Sequence, residues 1–182
     1  MSGPVRYEVK IRGCPFLSRA APLQVKQIDT PRLDELVKAA QASPRRRANL
    51  NLHEELSDPV QRLAIAMQPD TLIRPHRHGH TWELLWPLRG RFVVLHFDDH
   101  GAVTYRAVLG DELAVVETAA GQWHAVLSLD DGGVIFEVKH GPYAPIADAD
   151  FAPWAASDGE PQAAALMAWY RTAKPGEHFV AV

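Results

Sequence analysis

The sequence predicts a mainly β protein, an antiparallel sandwich or barrel with helical additions on either side. Two observations indicate this fold class. From Thr71 to Lys139, short runs rich in β-branched and aromatic residues alternate with turn signals such as Arg89-Gly90 and Ala120-Gly121. Before and after this region, apolar residues recur at helical spacing instead.

Length and composition are those of one soluble globular domain with extra terminal segments. The chain has 182 residues, of which 47% are hydrophobic and 23% charged. Its net charge of -3 provides no excess of positive charge for binding nucleic acid or an anionic membrane. Cys14 is the single cysteine, so no internal disulfide can form. Because the N-terminus has no apolar signal segment, we expect a cytoplasmic protein.

The segments before the β region are assigned in order along the chain. Residues 1–29 predict an added edge strand or an arm, and Thr30-Pro31 starts a helix that Pro44 ends. Residues 47–53 alternate polar and apolar side chains, which is typical of a strand. Asp58-Pro59 predicts a second short helix. Its predicted buried side consists of Val60, Leu63, Ala64 and Met67.

The chain therefore divides into four predicted parts. They are an arm or edge strand (1–29), a helical N-terminal part packed on the β region (30–69), the β region itself (70–154) and a C-terminal extension with a helix (155–182). The last helix is predicted from the spacing of Ala163, Leu166, Met167 and Tyr170. An alternating segment near residues 5–11 can add a strand to a partner, so we predict a homodimer.

Three histidines and a glutamate predict a metal site. His76 and His78 share a face in a strand, Glu83 can return to the same cavity on the adjacent strand, and His124 comes from a separate hairpin. Neutral imidazole and carboxylate suit zinc, iron, nickel, manganese or copper better than magnesium or calcium. We therefore predict one divalent transition metal with open positions for a ligand. His80 is interpreted as a loop residue, with an alternative role as a ligand.

Polar residues on neighbouring strands are candidates for binding a small molecule. The candidates for substrate binding are Arg47, Asn49, Asn51, Arg74, Lys139 and Tyr143, and the candidates for catalysis are Glu137, His53 and Arg74. The polar face of 47–53 looks either into the sheet structure or into water. Glu137 and Lys139 share a strand face, as a catalytic acid–base pair or as an ordinary ion pair. Arg74 shares the face of the histidines and would hold an anion.

These residues also resemble known motifs. Asp70-x5-His76-x-His78-x4-Glu83-x6-Gly90 resembles the first cupin motif, and Ala119-Ala-Gly121-x2-His124 resembles the second. Longer stretches from about Asp34 to Trp154 are similar to the WbuC-type cupin-fold metalloproteins, among them Arg74-Pro-His-Arg-His78 and Phe151-Ala-Pro-Trp154. The resemblance implies a jelly-roll barrel with an N-terminal helical addition, and an association with bacterial O-antigen gene clusters. It implies no particular reaction.

Three interpretations of the function remain open at this point. The first is a metalloenzyme, an isomerase, epimerase or dioxygenase, acting on a small polar, anionic or sugar-derived molecule. The second is a metal-dependent binding or sensor protein without catalysis, because a fold does not decide a function. In a third, weaker interpretation the metal is structural, and its removal would lower the melting temperature sharply.

Overall fold

The computed structural model describes residues 25–180. The arm predicted for 1–29, with its alternating segment at 5–11, therefore lies outside the described residues except for 25–29. The helices are α1 (Thr30–Ala42) and α2 (Ala163–Thr172), with a short 3-10 turn at Asp148–Asp150. The strands are β1 (Arg47–Asn51), β2 (Val60–Met67), β3 (Glu83–Arg89), β4 (Phe92–Phe97), β5 (Val103–Leu109), β6 (Val116–Thr118), β7 (Trp123–Ser128) and β8 (Gly133–His140).

Two antiparallel sheets form the body of the protein and confirm the predicted mainly β class. The first sheet has the order β1-β2-β8-β3-β6, and the second has the order β5-β4-β7. The extended segment 71–76 continues the second sheet, because His76 pairs with His124 of β7. With that segment included, β2 to β8 and 71–76 have the strand order of a two-sheet jelly roll, and β1 is added at an edge.

The predicted barrel is wrong in one respect, because the sheets pack face to face and do not close. Among residues 25–180, every ladder between named strands lies within one sheet or the other. The edge strand β6 has only three residues, and the segment 71–76 contacts β7 through an isolated bridge. Neither edge therefore presents a long row of backbone N–H and C=O groups with which the other sheet could pair. The space between the sheets consequently stays open at one side.

The second predicted helix is also wrong, because residues 60–67 form the strand β2. Its side chains are buried on both faces, which hides the alternation that identifies a strand in sequence. Ala64 and Ala66 pack beneath α1 with Leu36 and Ala40. The helical N-terminal part therefore ends at Ala42, and the sheet structure begins at β1.

The two helices cover the outer faces of different sheets. Asp29 caps α1, since its Oδ1 accepts a 3.0 Å hydrogen bond from the Arg32 N–H. The predicted C-terminal helix is confirmed as α2, whose Leu166 and Tyr170 are fully buried against the second sheet. Neither helix of the described residues has the length and apolarity that crossing a bilayer requires.

Gly101 is the glycine whose replacement we expect to distort a hairpin most directly. Its φ is +88°, and a Cβ placed there would lie 2.8 Å from Cδ2 of Trp154. Gly101→Ala should lower the free energy of unfolding by about 2–5 kcal/mol, the sum of left-handed strain and overpacking. Gly176→Ala is the control, because its φ is +89° with nothing within 4 Å. Urea unfolding should show a cost of about 1–2 kcal/mol for the control; equal costs would contradict the role of Trp154.

Candidate metal centre and cavity

Three imidazoles meet in the space between the sheets. The backbones of His76 and His124 pair in both directions, with N···O distances of 3.0 and 2.8 Å. A hydrogen bond of 2.9 Å from the Gly121 N–H to the His78 carbonyl positions the third histidine. Ligand nitrogens of His76, His78 and His124 lie within 4.8 Å of one another. The predicted histidine cluster therefore forms, although 71–78 is an extended segment and not a regular strand.

Glu83 approaches the histidines from the opposite sheet. It is the first residue of β3, and its carboxylate lies 3.2 Å from Nε2 of His124 and 3.5 Å from Nε2 of His78. The sequence prediction placed it on the strand adjacent to the histidines, which is wrong: β3 belongs to the sheet that faces them. A metal held by all four side chains would join the two sheets across the open side of the sandwich.

The orientation of the rings leaves the Nε2 atoms available to a metal. Nδ1 of His76 lies 2.9 Å from the Arg74 carbonyl, and Nδ1 of His124 lies 2.9 Å from the Gln122 carbonyl. A carbonyl oxygen can only accept, so both Nδ1 atoms carry the hydrogen and Nε2 is the free position. Nε2 of His78 and Nε2 of His124 are buried without an aligned hydrogen-bond partner among the described residues. Together with the Glu83 carboxylate beside them, these nitrogens are suited to hold a metal ion.

The charges of the cluster suit a cation. Burial lowers the pKa of His76 to about 3, which keeps this imidazole neutral. Burial would raise the pKa of Glu83, but the imidazoles of His124 and His78 and the charge of Lys139 hold it well below its ordinary value. Burial would lower the pKa of His124, yet its contact with the Glu83 carboxylate raises it. A metal would compete with that proton for Nε2. The donor set therefore fits one divalent transition metal.

A cavity of about 710 Å³ opens from this cluster and runs between the sheets. Its size is in the range of sites for small molecules. All but one of the predicted site residues line it: Arg47, Asn49, Asn51, His53, Arg74, His76, His78, Glu83, Glu137, Lys139 and Tyr143. The remaining one, His124, belongs to the cluster itself. The structure thus brings the predicted residues together, and their individual roles stay predictions.

The polar face of β1 looks into the cavity because α1 covers the other face. Ala48, Leu50 and Leu52 pack against the core beneath α1. The opposite side chains consequently line the cavity, where Asn49 and Asn51 remain exposed at its open edge. The structure thus combines the two interpretations left open by the sequence, because this face lines the cavity while Asn49 and Asn51 also meet water.

Glu137 and Lys139 form a buried pair beside the cluster. Nζ of Lys139 lies 2.7 Å from the Glu137 carboxylate and 3.8 Å from that of Glu83. Burial, followed by the negative charge of Glu83, raises the pKa of Glu137 to about 7, against the opposing charge of Lys139. The contacts fit an ion pair, and the raised pKa is the property expected of an acid–base group.

Arg74 and His53 present unpartnered nitrogens in buried positions. Nη2 of Arg74 donates to the Ala152 carbonyl at 3.1 Å, and its Cζ lies 5.1 Å from the ring centre of Phe151. Its Nε is buried with no hydrogen-bond partner in residues 25–180. His53 is 4% exposed, and its Nδ1 lies 3.0 Å from the Arg62 backbone while Nε2 has no such partner there. Both residues line the cavity, so both side chains are candidates for contact with a ligand.

Some cavity residues were not predicted. Arg45, Gln61 and Phe151 also line it. Gln61 pairs with Lys139 in the register of β2 and β8, a neighbour relation that no local pattern contains. Arg45 had a visible signal, because it continues the every-second-residue series of Arg47, Asn49 and Asn51 toward the N-terminus. His80 is exposed in a turn, as the loop interpretation expects.

The chain is similar to one family of unknown function and, in fold, to several solved structures. Residues 28–109, less than half of the chain, match the sequence model of DUF6016, a domain of unknown function. No curated protein matches. Among solved structures, KdgF from Halomonas sp. is similar with 14% identity and a TM-score of 0.43, over 57% of this chain and 84% of that one. TT1209 from Thermus thermophilus has 18% identity and a TM-score of 0.48, over 65% and 97%.

Oxalate decarboxylase from Bacillus subtilis is similar with 16% identity and a TM-score of 0.45, over 59% of this chain. The matched region spans 28% of that enzyme. Identities and TM-scores of this size carry no conclusion about the activity of this chain, which has to be argued from its own residues.

Proposed function

We propose that the protein is a metal-dependent enzyme acting on a small, polar, anionic molecule in the cavity between its sheets. The observation that carries this proposal is one shared cavity, in which the histidine cluster and Glu83 lie beside Arg74 and the Glu137–Lys139 pair. Convergence of metal ligands, a cationic group and an acid–base candidate in one concave site is the arrangement expected of an active site.

His76, His78, Glu83 and His124 would hold the metal. A bound divalent transition metal would supply Lewis-acid polarisation of a ligand oxygen, or dioxygen chemistry in the case of iron. The cavity beside the ligands speaks against a purely structural metal, whose site would be closed. Zinc, iron, nickel and manganese remain the candidate ions.

The charge of the cavity supports an anionic ligand. Its basic side chains are Arg45, Arg47, Arg74 and Lys139, against the acidic Glu83, Glu137 and Asp158. Glu83 would be neutralised by the metal, which leaves an excess of positive charge. Arg74 would bind the anionic group nearest the metal, because its guanidinium is already held by Ala152 and Phe151 and loses little freedom on binding.

Glu137 is the proposed group for moving a proton on the bound molecule. Lys139, 2.7 Å away, would stabilise the carboxylate form, and His53, which also lines the cavity, is a second candidate for proton transfer. An isomerase, an epimerase or a dioxygenase would fit these groups. The sequence similarity to WbuC-type proteins makes a sugar-derived substrate our preferred subclass. The homodimer and the cytoplasmic location stay predictions, of which light scattering tests the first.

A non-catalytic binding protein is the second candidate, and one observation favours it. Glu137 and Lys139 satisfy each other at 2.7 Å, as two residues with only a structural role would. In that case the metal and Arg74 would capture a ligand without changing it.

A ligand screen on metal-loaded protein tests the proposal. Protein loaded separately with zinc, iron, nickel or manganese is incubated with nucleotide sugars, keto-sugars and small oxo-acids, and mass spectrometry follows conversion. For any compound that reacts, Arg74→Gln should raise KM about 10- to 100-fold, the loss expected for a charged hydrogen bond. Arg32→Gln, on the exposed side of α1, is the matched control and should leave KM unchanged.

The three results of this screen are distinct. Turnover with the Arg74 effect supports the enzyme. Tight binding of a compound that is recovered unchanged supports the binding protein. Neither binding nor turnover with any of the loaded metals would contradict both.

A further inference from the structure

The far end of the cavity carries a second cationic site, away from the metal. We call the metal ligands His76, His78, Glu83 and His124 the metal pole, and Arg45, Arg47, Asn49 and Asn51 the edge pole. The edge pole belongs to β1 and the residues just before it, at the open side of the first sheet. Register separates Arg47 from the metal pole: Arg47 pairs with Met67 beside Gly133, whereas Glu83 pairs with Lys139, at the other end of β8. Asn51 pairs with Leu63 beside Glu137, so β1 runs along the cavity from its far end toward the metal.

The arginines of the edge pole are not neutralised by neighbouring carboxylates. Arg46, which lies between Arg45 and Arg47 in the sequence, forms an ion pair with Asp70 at 3.1 Å. Arg45 and Arg47 have no ion pair within the described part of the chain, and Asp158 lines the cavity without approaching either within ion-pair distance. The two cavity-facing arginines therefore keep their charge available for a ligand.

The edge pole is also partly preorganised. Nη1 of Arg47 donates to the Leu72 carbonyl at 2.9 Å, which fixes the guanidinium and leaves its other N–H groups free to bind. Nδ2 of Asn49 donates to Oδ1 of Asn51 at 2.7 Å, so the two amides present one acceptor and one donor group as a unit. Such an arrangement suits an oxyanion flanked by a hydroxyl or carbonyl group.

The distance between the poles follows from the same contact. Leu72 lies four residues before His76 in the extended segment 71–76, so the Arg47 contact is roughly 13 Å along the chain from His76. Apolar side chains also line the cavity, among them Leu63, Ile65, Val126 and Ile135, and the first two lie on β2 between β1 and β8. A compact anion at the metal would leave this section and the edge pole unused.

We infer that the cavity binds a two-ended ligand, with an oxygen-donor group at the metal pole, a carbon chain or ring along the apolar section, and an anionic group at the edge pole. This inference rests on the proposed function, which it extends by naming the shape and charge of the ligand. The class is that of elongated dianions, for example dicarboxylates or acids that also carry a phosphate.

A series of carboxylates on nickel-loaded protein tests this inference by calorimetry. The probes are acetate and octanoate as monocarboxylates, and succinate, suberate and sebacate as dicarboxylates of increasing length. Suberate or sebacate should bind about tenfold or more tightly than octanoate, the gain expected from one charged contact. Succinate is too short to reach the edge pole and should show no such gain over acetate.

The double variant Arg45→Gln/Arg47→Gln assigns the gain to the edge pole. Glutamine at position 47 keeps a donor for the Leu72 carbonyl, so folding should be retained, as circular dichroism checks. The variant should bind octanoate like the wild type and lose the advantage of the long dicarboxylates. Lys38→Gln, an exposed cation of α1 outside the cavity, is the control and should change neither.

The outcomes separate this inference from the proposed function. Failure to retain nickel would contradict the metal site and with it the two-ended ligand. Retained nickel with equal affinities for octanoate and suberate would overturn the two-ended ligand alone, as would an unchanged length dependence in the double variant.

Discussion

Replacing His124 by alanine is expected to abolish stoichiometric metal binding. Its side chain is 1% exposed, its Nδ1 is fixed by the Gln122 carbonyl, and its Nε2 lies 3.2 Å from Glu83. Removing this nitrogen deletes one of four candidate ligands and the contact of His124 with Glu83 of the opposite sheet. Because the loss of outer contacts alone weakens metal sites by about 10- to 100-fold, the loss of a ligand should exceed about 100-fold. Elemental analysis after loading and dialysis measures it.

Two further variants serve as controls that distinguish the loss of a metal ligand from a loss of folding. Glu83→Gln keeps the size of the side chain and removes its charge, so it should bind metal more weakly while remaining folded. His100→Ala removes an exposed histidine outside the cluster and should bind like the wild type. A metal concentration about 100 times the dissociation constant should stabilise the wild type by about 2.7 kcal/mol. Equal stabilisation of His124→Ala would contradict the assignment.

Tyr170→Ala is expected to destabilise the fold strongly. Tyr170 is fully buried in α2, and its hydroxyl lies 3.3 Å from the Ile73 carbonyl, in the segment that leads to the histidines. Removal of a large aromatic side chain from a packed core should cost about 3–5 kcal/mol. Urea unfolding of metal-free protein measures the cost without a contribution from the ligand.

Smaller changes at the same helix separate packing from hydrogen bonding. Tyr170→Phe keeps the ring and should cost about 0.5–1.5 kcal/mol for the lost hydroxyl contact. Thr172→Ala, exposed at the end of α2, should stay within about 0.5 kcal/mol of the wild type. A cost for Tyr170→Ala no larger than that of Thr172→Ala would mean that α2 does not belong to the stable core.

The sequence predicted those features that depend on local spacing. The His-x-His pair and the alternation of 47–53 each place side chains on one face, and both faces line the cavity. The sequence did not decide whether the polar face of β1 is exposed or lines the interior, because this depends on α1 packing against Leu50 and Leu52 on the opposite face. The sequence of a strand does not show whether a helix packs on one of its faces.

The wrong predictions arose because the structure depends on contacts between residues that are distant in sequence. Residues 60–67 carry apolar side chains on both faces, which imitates the spacing of a helix and conceals a strand covered by α1 and the cavity wall. Glu83 was assigned to a neighbouring strand, since spacing gives the distance along the chain but not the sheet to which a strand belongs. Arg45 shares the cavity only because the chain before β1 continues along the same edge.

The most direct test of the metal site is a crystal structure of metal-loaded protein, measured on both sides of the absorption edge of the loaded element. One anomalous peak is expected, bounded by the Nε2 atoms of His76, His78 and His124 and by the Glu83 carboxylate, with open positions toward the cavity. A fully loaded crystal whose anomalous peak lies elsewhere, or which shows no peak between the sheets, would contradict the assignment of these four residues as metal ligands.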